Sequence, residues 1–289
     1  MSVFFIFAEN RIMMIIVIGA DGFLGGRMVA KLRDTCFKDF ISETEILPFS
    51  ETDEFFQFLP SHYREVEWVI YCDKRTLNTE ISVSRYESVQ KLWTVVASYS
   101  IPLLYAFHQP VESPVSDFQP DCFVKWSGKQ YRRPPFWYIF KVGEVYGRQE
   151  NCPDERISRV YDFYRQIVET GEAVLPTKAQ DVDREGVMRD YLYVQDAVRV
   201  FYWFMQHHPT NGVYDLGSGF ERSDLAVVNA IFRALKLPPH IRYSFPNPKD
   251  SATQLASFQP NLQDLRRAGY RKPFYSVEKG IKSFLRLLP

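Results

Sequence analysis

Three glycines with the spacing Gly-x-x-Gly-x-x-Gly stand near the start of the 289-residue chain, at Gly19, Gly22 and Gly25. An apolar run over residues 15–18 precedes them, and a helical pattern of apolar side chains follows. A strand, a glycine turn and a helix N-terminus in succession hold a phosphate, because glycine permits the tight turn and lets the backbone approach the anion. This arrangement predicts the pyrophosphate site of a dinucleotide such as NAD or NADP. The predicted cofactor-binding residues are Gly19, Asp21, Gly22, Phe23, Leu24 and Gly25.

The elements that would position this turn alternate between short apolar strands and amphipathic helices. Strands are predicted over residues 13–18, 45–49, 66–72, 101–106, 137–142 and 212–217. Helices are predicted over residues 23–34, 52–64, 84–99, 156–170, 223–235 and 275–287. Gly171 is suited to the C-cap of the fourth of these helices. The alternation predicts an α/β fold with a doubly wound parallel sheet.

Charge and cysteine usage exclude several classes of partner. The 35 basic and 35 acidic side chains cancel, which argues against nucleic acid or an anionic membrane as the main partner. The four cysteines are scattered and form no C-x-x-C pair, so we expect no metal site and a reducing, cytoplasmic location. No run reaches the roughly 18 apolar residues that a membrane span needs. Residues 1–12 are interpreted as an N-terminal extension, with Met13 or Met14 as an alternative start.

Four stretches of the chain carry a family signature. Residues 16–25 contain the glycine turn, and residues 144–148 read Glu-Val-Tyr-Gly-Arg. Residues 189–196 read Arg-Asp-Tyr-Leu-Tyr-Val-Gln-Asp, and residues 258–274 run from Phe-Gln-Pro-Asn to Arg-Lys-Pro-Phe. In these stretches, which occur in the family's order, the chain resembles the NAD-dependent epimerase/dehydratase family of the extended short-chain dehydrogenase/reductase superfamily.

The resemblance implies a Rossmann lobe for NAD or NADP and a smaller, interleaved C-terminal lobe for a nucleotide sugar. The first lobe would comprise residues 13–150, with residues 187–217 returning to it. The second lobe would comprise residues 151–186 and 218–289. The resemblance also implies a role in polysaccharide or lipopolysaccharide metabolism and self-association into a homo-oligomer.

The chain departs from the family at the residues that carry the chemistry. The resemblance implies a Tyr-x-x-x-Lys pair on one helix, in which the Tyr hydroxyl acts as acid and base, and a Ser on the preceding strand. Residues 105–108 read Tyr-Ala-Phe-His where the family has Y-A-S-S. In the best register Lys129 takes the place of the family Lys, while Lys125 takes that of the Tyr. The catalytic candidates are therefore Lys129 and His108, whose imidazole can exchange a proton at neutral pH. A hydrogen-bonded structural role is the alternative for His108.

Two further positions are implied to contact the substrate. Glu144 stands where the family has the Asn of its N-V-Y-G motif. Arg189 begins the Arg-Asp motif, whose usual role in the family is to fix the hinge between the lobes. The family's phosphate-binding Arg aligns near Thr253, so that cation is predicted to be absent.

The acid that usually ends the second strand and binds the adenosine ribose is also displaced. That strand ends in Pro-Phe-Ser, and the acids Glu51 and Asp53 follow it. We interpret Ser50 and Asp53 as the N-terminal capping residues of the next helix. Ribose binding by these late acids is the alternative.

Two functional hypotheses follow. In the first, the joint loss of the catalytic groups leaves a degenerate, non-catalytic member that serves as a binding or partner protein. In the second, the chain is an active NAD(P)-dependent nucleotide-sugar epimerase, dehydratase or reductase with rearranged groups, such as His108, Tyr131 or Tyr138. The second hypothesis requires that the chain still binds the cofactor.

Overall fold

The computed structural model describes residues 13–36, 44–74, 83–108, 132–148, 157–176, 185–244 and 258–286. The strands are β1 (Met13–Ile18), β2 (Thr44–Phe49), β3 (Val66–Cys72), β4 (Leu103–His108), β5 (Trp137–Val142), β6 (Glu144–Tyr146), β7 (Ala173–Pro176), β8 (Met188–Tyr193), β9 (Gly212–Leu216), β10 (Glu221–Ser223) and β11 (Ile241–Ser244). The helices are α1 (Phe23–Cys36), α2 (Thr52–His62), α3 (Val83–Ser98), α4 (Arg159–Thr170), α5 (Val194–His207), α6 (Asp224–Leu235), α7 (Gln263–Arg267) and α8 (Val277–Arg286).

Six strands form one sheet in the order β2-β1-β3-β4-β5-β9. Every pairing in this sheet is parallel, with Ile16 beside Val69 and Ala106 beside Phe140 as examples. The strands are nearly continuous in apolar residues because helices cover both faces, as parallel sheets require. The predicted doubly wound α/β fold is confirmed.

Alternate side chains of β1 enter two different cores. Ile15 and Val17 pack in a cluster that includes α1 and α5, while Ile16 and Ile18 pack in one that includes α2 and α3. Each fully buried aliphatic side chain contributes about 1.5–3 kcal/mol relative to exposure. This double burial holds β1 in the sheet between β2 and β3 and so fixes the position of the turn that follows it.

A smaller part of the molecule is built from short strands and the C-terminal helices. Strands β10, β8 and β6 form a three-stranded sheet, and β11 pairs with β7. Phe163 of α4, Ile231 of α6 and Phe284 of α8 belong to the same apolar cluster as α1 and α5. The smaller part is therefore joined to the main sheet by a shared core.

Most of the predicted boundaries lie within a few residues of the observed ones. Strands 66–72 and 137–142 occur as predicted, and α4 ends at Gly171, whose φ of 77° is left-handed. The strand predicted over 101–106 was placed too early, because β4 is Leu103–His108. Pro102 has no N–H for a strand ladder, and only its carbonyl bonds to the neighbouring strand.

Candidate dinucleotide-binding site

The glycine turn lies where the chain changes direction across the main sheet. From β1 the chain passes through α1 to β2 on one side, and then through α2 to β3 on the other side of β1. The loops after β1 and β3 therefore separate at the carboxyl edge of the sheet. Open α/β sheets bind their ligands in the crevice at such a point.

Two positions of the turn require glycine. Gly19 has a φ of +74°, and a Cβ there would lie 2.1 Å from the carbonyl oxygen of Cys72. A Cβ on Gly25 would lie 2.0 Å from the carbonyl oxygen of Gly19. The N–H of Gly22 donates to that same oxygen at 3.1 Å and closes the turn. Because the first N–H groups of a helix have no acceptor within it, the start of α1 is suited to an anion, and the residues present fit a phosphate group.

A cavity of about 210 Å³ lies beside the turn. Its lining includes Gly19, Glu51, Thr52, Asp73, Lys74 and Ser88. Sites for drug-sized ligands measure about 300–1,000 Å³, so this cavity accommodates only part of a dinucleotide. Its position at the end of β2, where an acid holds the ribose in such folds, corresponds to the adenosine side.

One lysine connects the turn to the end of β2. Lys74 Nζ lies 2.8 Å from Asp21 Oδ2 and 3.3 Å from Glu51 Oε1. Burial lowers the pKa of Lys74, but the hydrogen bonds and charges of Asp21 and Glu51 outweigh it, so this pKa is raised. The ammonium group is therefore charged at neutral pH and lies next to the phosphate turn.

The start of α2 differs from its sequence-based interpretation, and the predicted cap of Ser50 and Asp53 is wrong. In the described segment 44–74, Glu51 is the N-cap residue, and its side chain makes no capping hydrogen bond. Its carboxylate instead contacts Lys74, since an ion pair across the cavity is geometrically available to it. An acid thus does stand at the end of β2.

A buried carboxylate lies at the inner wall of the cavity. Asp73 is 7% exposed, and the hydroxyls of Tyr71 and Tyr105 each lie 3.5 Å from one of its oxygens. Its N–H donates to the carbonyl oxygen of Ala106 at 2.8 Å, which fixes it to β4. Sequence reasoning missed Asp73 and Lys74. The available signal was a pair of charged residues directly after a buried parallel strand, at the ligand-binding edge.

His108 lies at the carboxyl end of β4, on the same edge of the sheet as the turn. Its half-buried ring has Nδ1 3.4 Å from the carbonyl oxygen of Gly143. Phe107 before it is 4% exposed and packs in the core with α2 and α3. The last two residues of β4 therefore provide a buried phenyl ring and an imidazole.

Tyr138 does not fit the catalytic role that we considered for it. It lies near the amino end of β5, away from the edge with the turn, and is fully buried. Its hydroxyl donates to the carbonyl oxygen of Pro209 at 3.1 Å, and burial raises its pKa well above the ordinary value. The remaining candidates lie outside the described residues: Lys125, Lys129, Tyr131 and Thr253.

Glu144 and Arg189 lie together in the three-stranded sheet, on β6 and β8. Glu144 Oε1 accepts the backbone N–H of Arg159 at 2.9 Å, at the start of α4. Arg189 Nη1 lies 2.9 Å from Oδ1 of the fully buried Asp224. Burial lowers the pKa of Arg189, but the charge of Asp224 and its neighbours outweighs it and raises this pKa. These contacts tie strands to helices, and their predicted role in substrate binding stays a prediction.

Asp190, which follows Arg189 on β8, links the two sheets. The carboxylate of Asp190 accepts the N–H groups of Ser218 and Gly219, each at 2.6 Å, in the turn after β9. Burial raises the pKa of Asp190, against the lowering effect of these hydrogen bonds. Because β8 belongs to the smaller sheet and β9 to the main one, Asp190 holds the two together.

No protein-family profile matches the chain, but individual proteins do. The ADP-L-glycero-D-manno-heptose-6-epimerase of Fusobacterium nucleatum is 24% identical, over 94% of this chain and 97% of its own. The solved structure of the Helicobacter pylori ADP-L-glycero-D-manno-heptose-6-epimerase is 17% identical over 97% of both chains, with a TM-score of 0.69. Over nearly its whole length the chain is therefore similar in sequence to the Fusobacterium enzyme and in fold to the Helicobacter enzyme.

The chain has the fold of the NAD-dependent epimerase/dehydratase family. The Thermus thermophilus UDP-glucose 4-epimerase, solved in complex with NAD, shares it with a TM-score of 0.65 and 18% identity. That match covers 95% of this chain and 98% of the Thermus chain. Among the described residues of this chain, none of the helices combines the length and the apolar character that a membrane span requires. The same residues contain no group of three or more His, Cys, Asp or Glu side chains placed to hold a metal ion.

Proposed function

We propose that this epimerase/dehydratase-like chain binds NAD or NADP at the glycine turn but has lost the usual catalytic residues. It would serve as a non-catalytic binding or partner protein in sugar-nucleotide metabolism. The observation that carries this proposal is the end of β4, where Phe107 and His108 stand in place of the family's two serines. A phenyl ring that is packed in the core cannot orient a sugar hydroxyl.

The turn and the cavity support retention of the cofactor. Gly19 and Gly25 let the turn close tightly against Cys72 and against its own backbone, and the start of α1 presents N–H groups to a phosphate. Glu51 stands at the rim of the cavity on the adenosine side, where a carboxylate can accept the ribose hydroxyls. When bound, the nicotinamide would supply a hydride acceptor; the residues described here would hold and orient its adenosine diphosphate part.

A nucleoside diphosphate sugar is the second ligand that we propose. The relatives are named for ADP-L-glycero-D-manno-heptose and for UDP-glucose, and both compounds are nucleoside diphosphate sugars. The smaller lobe, with Glu144 and Arg189, would face the sugar. Self-association into a homo-oligomer and a cytoplasmic location belong to the same proposal.

An active enzyme is the second candidate function, and the placement of His108 favours it. Its ring reaches the carboxyl edge of β4, and Nδ1 lies close to the carbonyl oxygen of Gly143. A bond from Nδ1–H to a backbone carbonyl orients an imidazole so that Nε2 is the basic atom. His108 would then exchange the proton that the family's Tyr handles.

Cofactor binding is tested by thermal unfolding with millimolar NAD(H) or NADP(H). A rise in the unfolding midpoint is expected, because a ligand that binds only the folded state stabilises it. An unchanged midpoint with all four dinucleotides would overturn the proposal.

Catalysis is tested by incubating the protein with cofactor and either ADP-L-glycero-D-manno-heptose or UDP-glucose, and following the sugar by NMR. We expect no conversion. Conversion that disappears in His108→Ala and persists in His240→Ala would instead establish the active enzyme. His240 is the control because its side chain is 71% exposed.

A further inference from the structure

Asp21, Glu51 and Lys74 form a charged cluster beside the turn, and Lys74 is its least exposed member. It follows β3 directly and contacts Asp21 in the turn and Glu51 at the end of β2. Its side chain is 25% exposed, against 48% for Asp21 and 73% for Glu51. The ammonium therefore lies between the turn and the cavity, and its two acidic partners face more solvent.

The acids near the cavity disfavour an anionic ligand. Asp21, Glu51 and the buried Asp73 bring three carboxylates to this region. Among the described residues that line the cavity, Lys74 is the one cation. The N-terminus of α1 contributes only about half a positive charge. A diphosphate at the turn therefore needs the charge of Lys74.

We propose that Lys74 is the side-chain cation for the phosphates of the bound dinucleotide, exchanging its contact with Glu51 for a phosphate oxygen. The inference rests on the proposed cofactor binding. The exchange is easy because ion pairs at exposed carboxylates are weak, and a lysine stem with four carbons reorients readily. Glu51, once released, can accept hydrogen bonds from the adenosine ribose.

Adenosine and ADP differ only in the phosphates, so their affinities isolate this contact. Titration calorimetry should show that Lys74→Ala weakens ADP binding about tenfold, which corresponds to about 1.4 kcal/mol. Adenosine should bind this variant as it binds the wild type. Lys74→Arg should keep most of the ADP affinity, and Asp21→Asn should increase it because a repelling charge is removed. Lys272→Ala, at an exposed position on the C-terminal segment, is the matched control and should bind both ligands normally.

Two outcomes would overturn the role of Lys74 alone: unchanged ADP affinity in Lys74→Ala, or equal losses for ADP and adenosine. Lys74→Gln, which keeps most of the stem, replaces the alanine variant if circular dichroism shows that the latter is unfolded. A wild-type protein that binds none of ADP, NAD(H) and NADP(H) would overturn the proposed function itself. Wild-type binding of NAD(H) together with ADP binding that does not depend on Lys74 would remove only this inference.

Discussion

At Gly25 any side chain would meet the backbone of the turn, since a Cβ there would lie 2.0 Å from the carbonyl oxygen of Gly19. A backbone oxygen cannot rotate away as a side chain can, so Gly25→Ala must shift α1 or reopen the turn. Overpacking of this kind costs about 1–3 kcal/mol. We expect Gly25→Ala to lower the free energy of unfolding in urea by that amount and to abolish the stabilisation by NAD(H).

Gly171→Ala is the matched control for Gly25→Ala. Gly171 has a φ of 77° at the end of α4, and a Cβ there would meet nothing within 4 Å. The left-handed conformation alone should cost about 1–2 kcal/mol and leave dinucleotide binding unchanged. A Gly25→Ala protein that binds NAD(H) like the wild type would show that the turn is not the phosphate site.

For single residues, the sequence predicts local contacts but not contacts between distant parts of the chain. Gly19 and Gly25 were predicted because a turn and the start of its helix are local structure, encoded by neighbouring residues. Lys74 was missed because its partner Asp21 is 53 positions away, and the pair exists only once β1 and β3 lie side by side. Charge clusters at the edge of a sheet depend on such meetings between loops.

At the scale of elements, apolar periodicity was sufficient to predict most of the main sheet. Buried parallel strands such as 66–72 and 137–142 are short apolar runs with clear polar ends, so their bounds follow directly from the sequence. The predicted capping residues of α2 were wrong because the long-range contact of Glu51 with Lys74 competes with a local cap. Tyr138 was a poor candidate because strand direction, which a pattern does not show, places it at the opposite edge.

The pairing of β8 with α6 depends on a buried charge. Arg189 is 11% exposed on its side chain and contacts Asp224, whose side chain is fully buried. Removing one member of a buried pair costs about 3–5 kcal/mol. Asp224 keeps Arg159, 3.7 Å away, as a second cation, so the lower end of this range applies. We therefore expect Arg189→Ala to lower the free energy of unfolding by that amount in urea titrations.

Arg165→Ala on α4 is the control for Arg189→Ala. Its side chain is 53% exposed, and its guanidinium lies 3.7 Å from Asp162 and 3.9 Å from Glu169. Exposed pairs contribute about 0–1 kcal/mol, so this variant should unfold nearly as the wild type does. If Arg189→Ala kept its stability and lost only nucleotide-sugar binding, the residue would be a ligand contact instead of a structural one.

At the scale of the whole molecule, one apolar cluster joins the main sheet to the smaller part. It contains Val17 of β1 together with Phe163 of α4 and Phe284 of α8. Parts that share a core lose stability together, so a single unfolding transition is expected. Tryptophan fluorescence and far-ultraviolet circular dichroism should therefore report the same midpoint in urea.

Asp190 is the polar counterpart of this shared core, because its two oxygens accept N–H groups from Ser218 and Gly219. In Asp190→Asn an NH2 group replaces one acceptor, so one buried N–H loses its partner at a cost of about 1–3 kcal/mol. The midpoint should fall for both spectroscopic signals without splitting into two transitions. Two separated transitions in the variant would show that the lobes are coupled mainly through Asp190 and not through the core.

The stability difference between the wild type and Asp190→Asn should depend on pH, and this dependence tests the charge state of Asp190. Burial raises its pKa in the folded protein, so the folded state binds the proton more tightly than the unfolded chain does. The resulting stabilisation is complete below the unfolded pKa of about 3.9 and is lost as the pH rises through the folded-state pKa. The stability advantage of the wild type over Asp190→Asn, measured by urea unfolding, should therefore be larger at acidic than at neutral pH. An advantage that grows towards neutral pH would mean that the two N–H bonds to the carboxylate outweigh its burial.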